Sequence, residues 1–142
     1  MVYRKFTPPQ LAENPNNANA KWLTNHRLSV YMIGADPVGN TIIAYTVDVE
    51  LMQDNVWQDF EDGMNHSRAE WVPKNNYWLA NNLSPRQKMV TLVHETKEDR
   101  VLGGSSTQKT YDDAHTYEAN PLEFEARHGD TLKVLRDLGW RC

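Results

Sequence analysis

Cysteine is almost absent: Cys142, the last residue, is the only one in a chain of 142. With no second thiol there is no intramolecular disulfide, no cysteine-based metal site and no catalytic cysteine set within structured chain, a pattern that suits a reducing compartment. Long apolar runs are also missing. None approaches the roughly 18 residues needed to cross a bilayer, and the polar start Met1-Val2-Tyr3-Arg4-Lys5 lacks the apolar stretch of a signal peptide. A cytoplasmic location with no membrane partner is the expectation. Clustered basic residues are the third absence. The formal charge is −4, and phosphate backbones demand local positive charge, so no nucleic-acid partner is expected either.

What is present suffices for one core. The chain is 39% hydrophobic and carries five tryptophans, enough to fold as a single domain over 1–142 without staples. Residues 1–20 are expected to be irregular, because Pro8-Pro9 and Asn14-Pro15-Asn16-Asn17 favour turns. Leu28 to Ile33 reads as a strand, Ala35-Asp36-Pro37-Val38-Gly39-Asn40 as a turn, and Ile42 to Leu51 as the returning strand of a β-hairpin. Residues 53–76 read as loop and short helix, and Tyr77-Trp78-Leu79-Ala80 as another strand.

Helical signals dominate from there. Ser84 can cap a helix with Pro85 at its first position and Gln87 at capping-box spacing; Met89, Leu92, Val93 and Thr96 share a face, and Gly103-Gly104 ends it. Thr110 can cap the next helix, which Asn120-Pro121 kinks or restarts, and a last one runs through Leu132, Leu135 and Leu138 to Gly139, with Trp140 as an anchor. The expected fold class is therefore α+β: a small antiparallel or mixed sheet in the N-terminal half, followed by three C-terminal helices.

Chemistry concentrates in His94-Glu95-Thr96-Lys97-Glu98. On a helix, His94 and Glu98 are four residues apart and project from one side, so both can reach one ion, with Glu95 about 100° round the axis beside them. That is the mechanical logic of the H-E-x-x-H zinc helix, in which the intervening glutamate manages the proton of the attacking water. A catalytic zinc also needs a third protein ligand. His115 is one candidate; Glu118 and Glu123 are the alternatives. The plain reading of His94 and Glu98 is an exposed pair on a surface helix, and that of the acidic residues after His115 is charge compensation at a helix start.

From Tyr77 to Arg127, the succession of strand, Asn82-Leu83-Ser84-Pro85, a helix with Leu92-Val93-His94-Glu95 and a downstream acidic helix resembles a minimal zincin metallopeptidase domain. The stretch from His94-Glu95-x-x-Glu98 through Gly104, Tyr111, Ala114-His115 and Ala119-Asn120 is similar to small zincin-like proteins of phages and prokaryotes. The resemblance implies a zinc-dependent hydrolase acting on a peptide or protein, with His94, Glu98 and His115 on the metal, Glu95 as catalytic base, and the Tyr77 strand bordering the cleft. Zincin helices carry a second histidine where this chain has Glu98, and Glu118-Ala119-Asn120 fits a zincin third-ligand context as well as His115 does. An extra carboxylate lowers the Lewis acidity of the ion. The alternative expectation is an inactive zincin-like interaction domain, of phage or mobile-element origin.

Overall fold

The computed structural model describes residues 23–24, 28–57 and 59–142; the expected irregular segment 1–20 lies outside them. Strands β1 (Ser29–Ala35) and β2 (Thr41–Val47) form the expected antiparallel hairpin. Its turn is built by Asp36, whose carboxylate accepts from the backbone N–H of Val38 and of Asn40 at 3.1 and 2.8 Å. The second strand stops at Val47, short of the expected Leu51. Asp48 intervenes: its side chain accepts from Leu51 N at 3.1 Å and caps helix α1 (Val49–Asn55). A capping carboxylate satisfies a helix-start N–H that a strand would have sent to a neighbour.

After α1 the chain crosses under the sheet and returns as β3 (Gly63–Asn65) and β4 (Asn76–Ala80). The strand order is β1-β2-β4-β3, with β4 parallel to β2 and antiparallel to β3, so the sheet is mixed. A parallel neighbour requires a long crossover, which residues 48–75 supply. Every residue from Tyr77 to Ala80 is buried, because β4 is interior and covered on both faces. Trp78 and Ala80 join Met52, Val56, Phe60 and Trp71 on one side; Tyr77 and Leu79 join Leu92, Val93, Ala126, Leu135 and Trp140 on the other. Alternation along one strand thus divides the core into two layers.

The second layer is helical. Helix α2 (Pro85–Leu102) starts at Ser84, whose hydroxyl accepts from Gln87 N at 3.1 Å, and ends at Gly103 with φ of 72°. Only half of the expected capping box forms, since the Gln87 amide turns forward to Thr91 Oγ1. Helix α3 (Gln108–Ala114) begins one turn earlier than expected: Thr107 is the cap, and Thr110, expected there, completes a reciprocal capping box from the third position. A π-helical turn, His115–Ala119, joins α3 to α4 (Asn120–His128), and α5 (Thr131–Asp137) closes the chain. The C-terminal part thus holds four α-helical spans rather than the expected three, because the middle helix is divided by the π turn that precedes Pro121. Among the described residues no helix is long and apolar enough to cross a membrane.

The chain end is sewn back onto the sheet. Ala35 N donates to Gly139 O and Arg141 N to Ile33 O, both at 3.0 Å. Gly139 has φ of 103°, and a Cβ there would strike Ala35 O, so glycine is required on both counts. Trp140 then enters the helical layer, edge-on to Tyr77, and its indole N–H donates to Thr96 Oγ1 at 3.0 Å. We expect Trp140→Ala to cost about 3–5 kcal/mol of stability through the cavity it leaves, and Trp140→Phe about 1 kcal/mol through the lost hydrogen bond. Urea unfolding followed by circular dichroism measures both; a Trp140→Ala protein as stable as the parent would contradict this anchoring.

Candidate metal centre

Helix α2 is buried on nearly all sides over its middle. Val90 through Thr96 and Glu98 are all buried, with Lys97 half-buried. His94 is 6%, Glu95 7% and Glu98 2% exposed, so the reading of His94 and Glu98 as an exposed surface pair does not describe this helix. Charges so placed need partners, because burying an unpaired one costs several kcal/mol or forces it to neutralise.

The partner for His94 and Glu98 arrives from the α3 end. Pro121 has no N–H to donate to the carbonyl four residues back, and the ladder adapts by widening: Asn120 N bonds to His115 O across five residues. The expected kink is thereby a continuous path with one extra residue in its turn, and His115 stands at the start of that turn. His94 Nε2 lies 3.1 Å from Glu98 Oε2 and 3.0 Å from His115 Nδ1, and His115 Nδ1 lies 3.1 Å from the same Glu98 oxygen. The two imidazoles meet edge to face.

Three atoms in a triangle of that size are awkward for protons alone. Each edge needs one hydrogen, yet the two nitrogens supply at most one each, and if both point at Glu98 they face one another across 3.0 Å. An ion faces all three lone pairs at once. Zinc at about 2.0–2.1 Å from three tetrahedral donors would hold them about 3.3 Å apart, within a few tenths of an ångström of the triangle. His94, Glu98 and His115 are the group among the described residues whose donor atoms converge in this way.

The other two candidate ligands lie elsewhere. Glu118 turns outward to Lys97 Nζ at 3.9 Å and is half exposed. Glu123 approaches the far side of the His94 ring, with Oε1 at 2.9 Å from Nδ1. That oxygen sits off the N–H direction, so Nδ1 has close charge contact without an aligned hydrogen bond. Glu123 is held in turn by Arg127, which also reaches Gln87 on α2 at 2.8 Å. A carboxylate behind a ligating imidazole orients the ring and raises its basicity.

Asn65 is a site residue with no signal in the local sequence, thirty residues upstream of Glu95. It is fully buried at the end of β3, and its Nδ2 donates to Glu95 Oε1 at 3.2 Å and to Glu98 Oε1 at 3.1 Å. Its Oδ1 accepts from Arg68 N at 3.1 Å, which fixes the amide orientation, since the reversed amide would aim its carbonyl at two carboxylates. Gly63, two residues earlier, admits the helix: a Cβ there would meet Glu95 Cγ at 2.9 Å. A cleft of about 380 Å³ opens over these groups, lined by His94, Glu95, Tyr111 and His115 and, at its lip, by Asp59, Glu61 and Asp62. The Tyr111 ring stacks on the Arg68 guanidinium, 4.2 Å away.

Burial and neighbours separate the protonation states. For His94, burial opposes the imidazolium, but the Glu98 hydrogen bond and the charges of Glu95, Glu98 and Glu123 outweigh it and raise the ring to about 9. Burial, then the Glu98 charge, push the Glu95 carboxyl well above the usual range. Glu98 goes the other way: burial would raise it, but hydrogen bonds from His115 and His94 hold it low. The metal-free site thus keeps a proton on His94 and on Glu95 and the negative charge on Glu98.

The linkage follows in sign. His94 is protonated in the fold up to about 9 but in the unfolded chain only to about 6.5, so its contribution is complete below 6.5 and lost as pH rises through 9. Glu95, which also keeps its proton longer in the fold, acts in the same direction. Metal-free protein is therefore expected to lose stability across the window from 6.5 to 9, read as a falling urea midpoint, and His94→Gln is expected to flatten that slope. An unchanged slope in a folded His94→Gln protein would count against this assignment.

No family model matches the chain, and no curated protein or solved structure shows significant similarity to it.

Proposed function

We propose that this chain is a zincin-like metal hydrolase, a small peptidase in which His94, Glu98 and His115 hold zinc and Glu95 carries the proton of the reaction. The observation that supports the reading is the donor triangle, with edges of 3.0–3.1 Å, beside a cleft that Glu95 also lines. Bound there, zinc would supply Lewis acidity, polarising a carbonyl and making water a nucleophile near neutral pH. The protein's own groups divide the remaining work. Glu98 and the imidazoles fix the ion, and Glu123 steadies the His94 ring. Glu95, a carboxyl kept protonatable near neutrality by burial, accepts a proton from the nucleophile and returns it to the leaving amine.

A carboxylate in the place of the second zincin histidine favours a second reading, an interaction domain that has kept the helix without the metal. Glu98 Oε2 lies 3.1 Å from His94 Nε2, a distance at which the two side chains can pair with each other. Two histidines and one carboxylate also suit iron(II), so metal content is to be read for both ions.

Elemental mass spectrometry of the purified protein distinguishes these readings. We expect about one equivalent of zinc, lost in folded His94→Ala and Glu98→Ala variants. Glu95→Gln should keep the zinc and slow cleavage of quenched-fluorescence peptides by about a hundred- to ten-thousand-fold. No metal in the parent after zinc is supplied would sink the hydrolase and leave the interaction domain. Because the ion must displace the His94 proton, apparent zinc affinity should rise about tenfold per pH unit until the ring's value near 9. A chelator competition series checks this, and an affinity that levels off already above 6.5 would show that the proton displaced by the ion is not held by a raised His94 ring.

A further inference from the structure

Beyond the donors themselves, one buried side chain has a geometry that assigns it a task. Asn65 sits on β3, the edge strand, and reaches across to α2, where its single amide nitrogen bridges two glutamates at 3.2 and 3.1 Å. An amide nitrogen carries two hydrogens, so each carboxylate receives one. Both bonds end on an Oε1 atom. That leaves Glu98 Oε2 for the two imidazoles, which it approaches at 3.1 Å each. Among the described residues, Glu95 Oε2 takes no hydrogen bond, and its carboxyl lines the cleft.

We infer that Asn65 is a positioning residue of this centre: by occupying one oxygen of each glutamate it makes Glu98 a one-oxygen ligand and keeps Glu95 beside the ion as an acid and base instead of a fourth ligand. Without the bridge, Glu98 is free to swing both oxygens onto a cation, and Glu95, three residues and nearly one turn away, is free to join it. Either movement would fill the position that a substrate needs, since a catalytic site must keep one coordination position open. The shape of the backbone supports the same end. Gly63 brings β3 close against Glu95, and Arg68 N holds the far oxygen of the Asn65 amide, so the bridge is anchored at both ends. Asn65 acts through the two glutamates, which take both of its amide hydrogens.

The inference rests on the metal-centre reading, and its test separates the two. Zinc affinity is measured by chelator competition on full-length parent, Asn65→Leu and Met64→Ala proteins, each checked for folding and for urea stability. Met64, the residue before it on β3, is buried in the apolar cluster of Trp78, Phe60 and Met52 on the opposite face of the sheet, so it reports damage to the strand alone. The expected result is zinc held about tenfold to hundredfold more tightly by Asn65→Leu, because the freed oxygens of Glu98 and Glu95 join the ion, a change of the size usual for a residue behind a ligand, with Met64→Ala less stable but unchanged in affinity. Parent-like or weaker affinity in Asn65→Leu, or an equal change in both variants, overturns it.

Should Asn65→Leu fail to fold, the side-chain amide of Asn65 in a ¹⁵N spectrum of metal-free parent decides. Two slowly exchanging Nδ2 protons support the bridge, and exchange at the rate of a surface asparagine overturns it. A parent that binds no zinc while showing the protected amide would remove the metal reading and leave the carboxylate bridge standing.

Discussion

From Val90 to Thr96 every residue of α2 is buried, and the arrangement around the cleft follows from that constraint. Leu92 and Val93 meet β4 and α5 through apolar contacts, which ask little of their neighbours. His94, Glu95 and Glu98 ask a great deal, since an ionisable group held in low dielectric must be paired, hydrogen-bonded or neutralised. The protein answers from three directions. His115 comes from the π turn, Asn65 from the edge strand and Glu123 from α4, each within hydrogen-bonding or contact distance. The core and the candidate site are therefore one structure, with the same helix serving as the wall of both.

This sharing explains features that look unrelated along the chain. The π turn begins at His115, so the ring that meets His94 and Glu98 stands where α3 gives way to the widened ladder before Pro121. Gly63 removes a side chain so that a strand can lie against a glutamate. Trp140 packs on Tyr77 and donates to Thr96, one helical step from Glu95, so the chain end stiffens the helix from behind. On the cleft side the balance is electrostatic: Glu98 holds the charge and Glu95 the proton, two carboxyls on one helix driven apart by different neighbours. Such a separation is how one site obtains both a ligand and an acid-base group.

Parts of this were legible in the sequence and parts were not. Ser84-Pro85, Gly103 and Gly139 marked the ends of α2 and α5 because caps act through atoms a few residues away. The hairpin of β1 and β2 was marked by Asp36 and Gly39 for the same reason. The stretch from Val49 to Leu51 misled: its β-branched and apolar residues continue the strand pattern, and only the Asp48 cap signals the change to α1. Thr107 and Thr110 competed for one cap, and both take part, in reciprocal roles. For the site, the spacing of His94 and Glu98 put them on one side of a helix, and His115 was one of three residues left open beside them.

The sequence by itself determined the local structure and the chemistry on offer: a capped helix carrying His94, Glu95 and Glu98, and a supply of further histidine and carboxylate groups after it. Tertiary structure decided which of those groups meet. It buried the helix, brought His115 and Asn65 to it, turned Glu118 out to Lys97 and set Glu123 behind the His94 ring. The reason is range. Caps, turns and i, i+4 pairs are settled within one or two turns of chain, whereas the distance from Asn65 to Glu98 or from His94 to His115 is fixed by how a sheet and four helical spans pack. Residue spacing permits such contacts, and only the folded core selects among them.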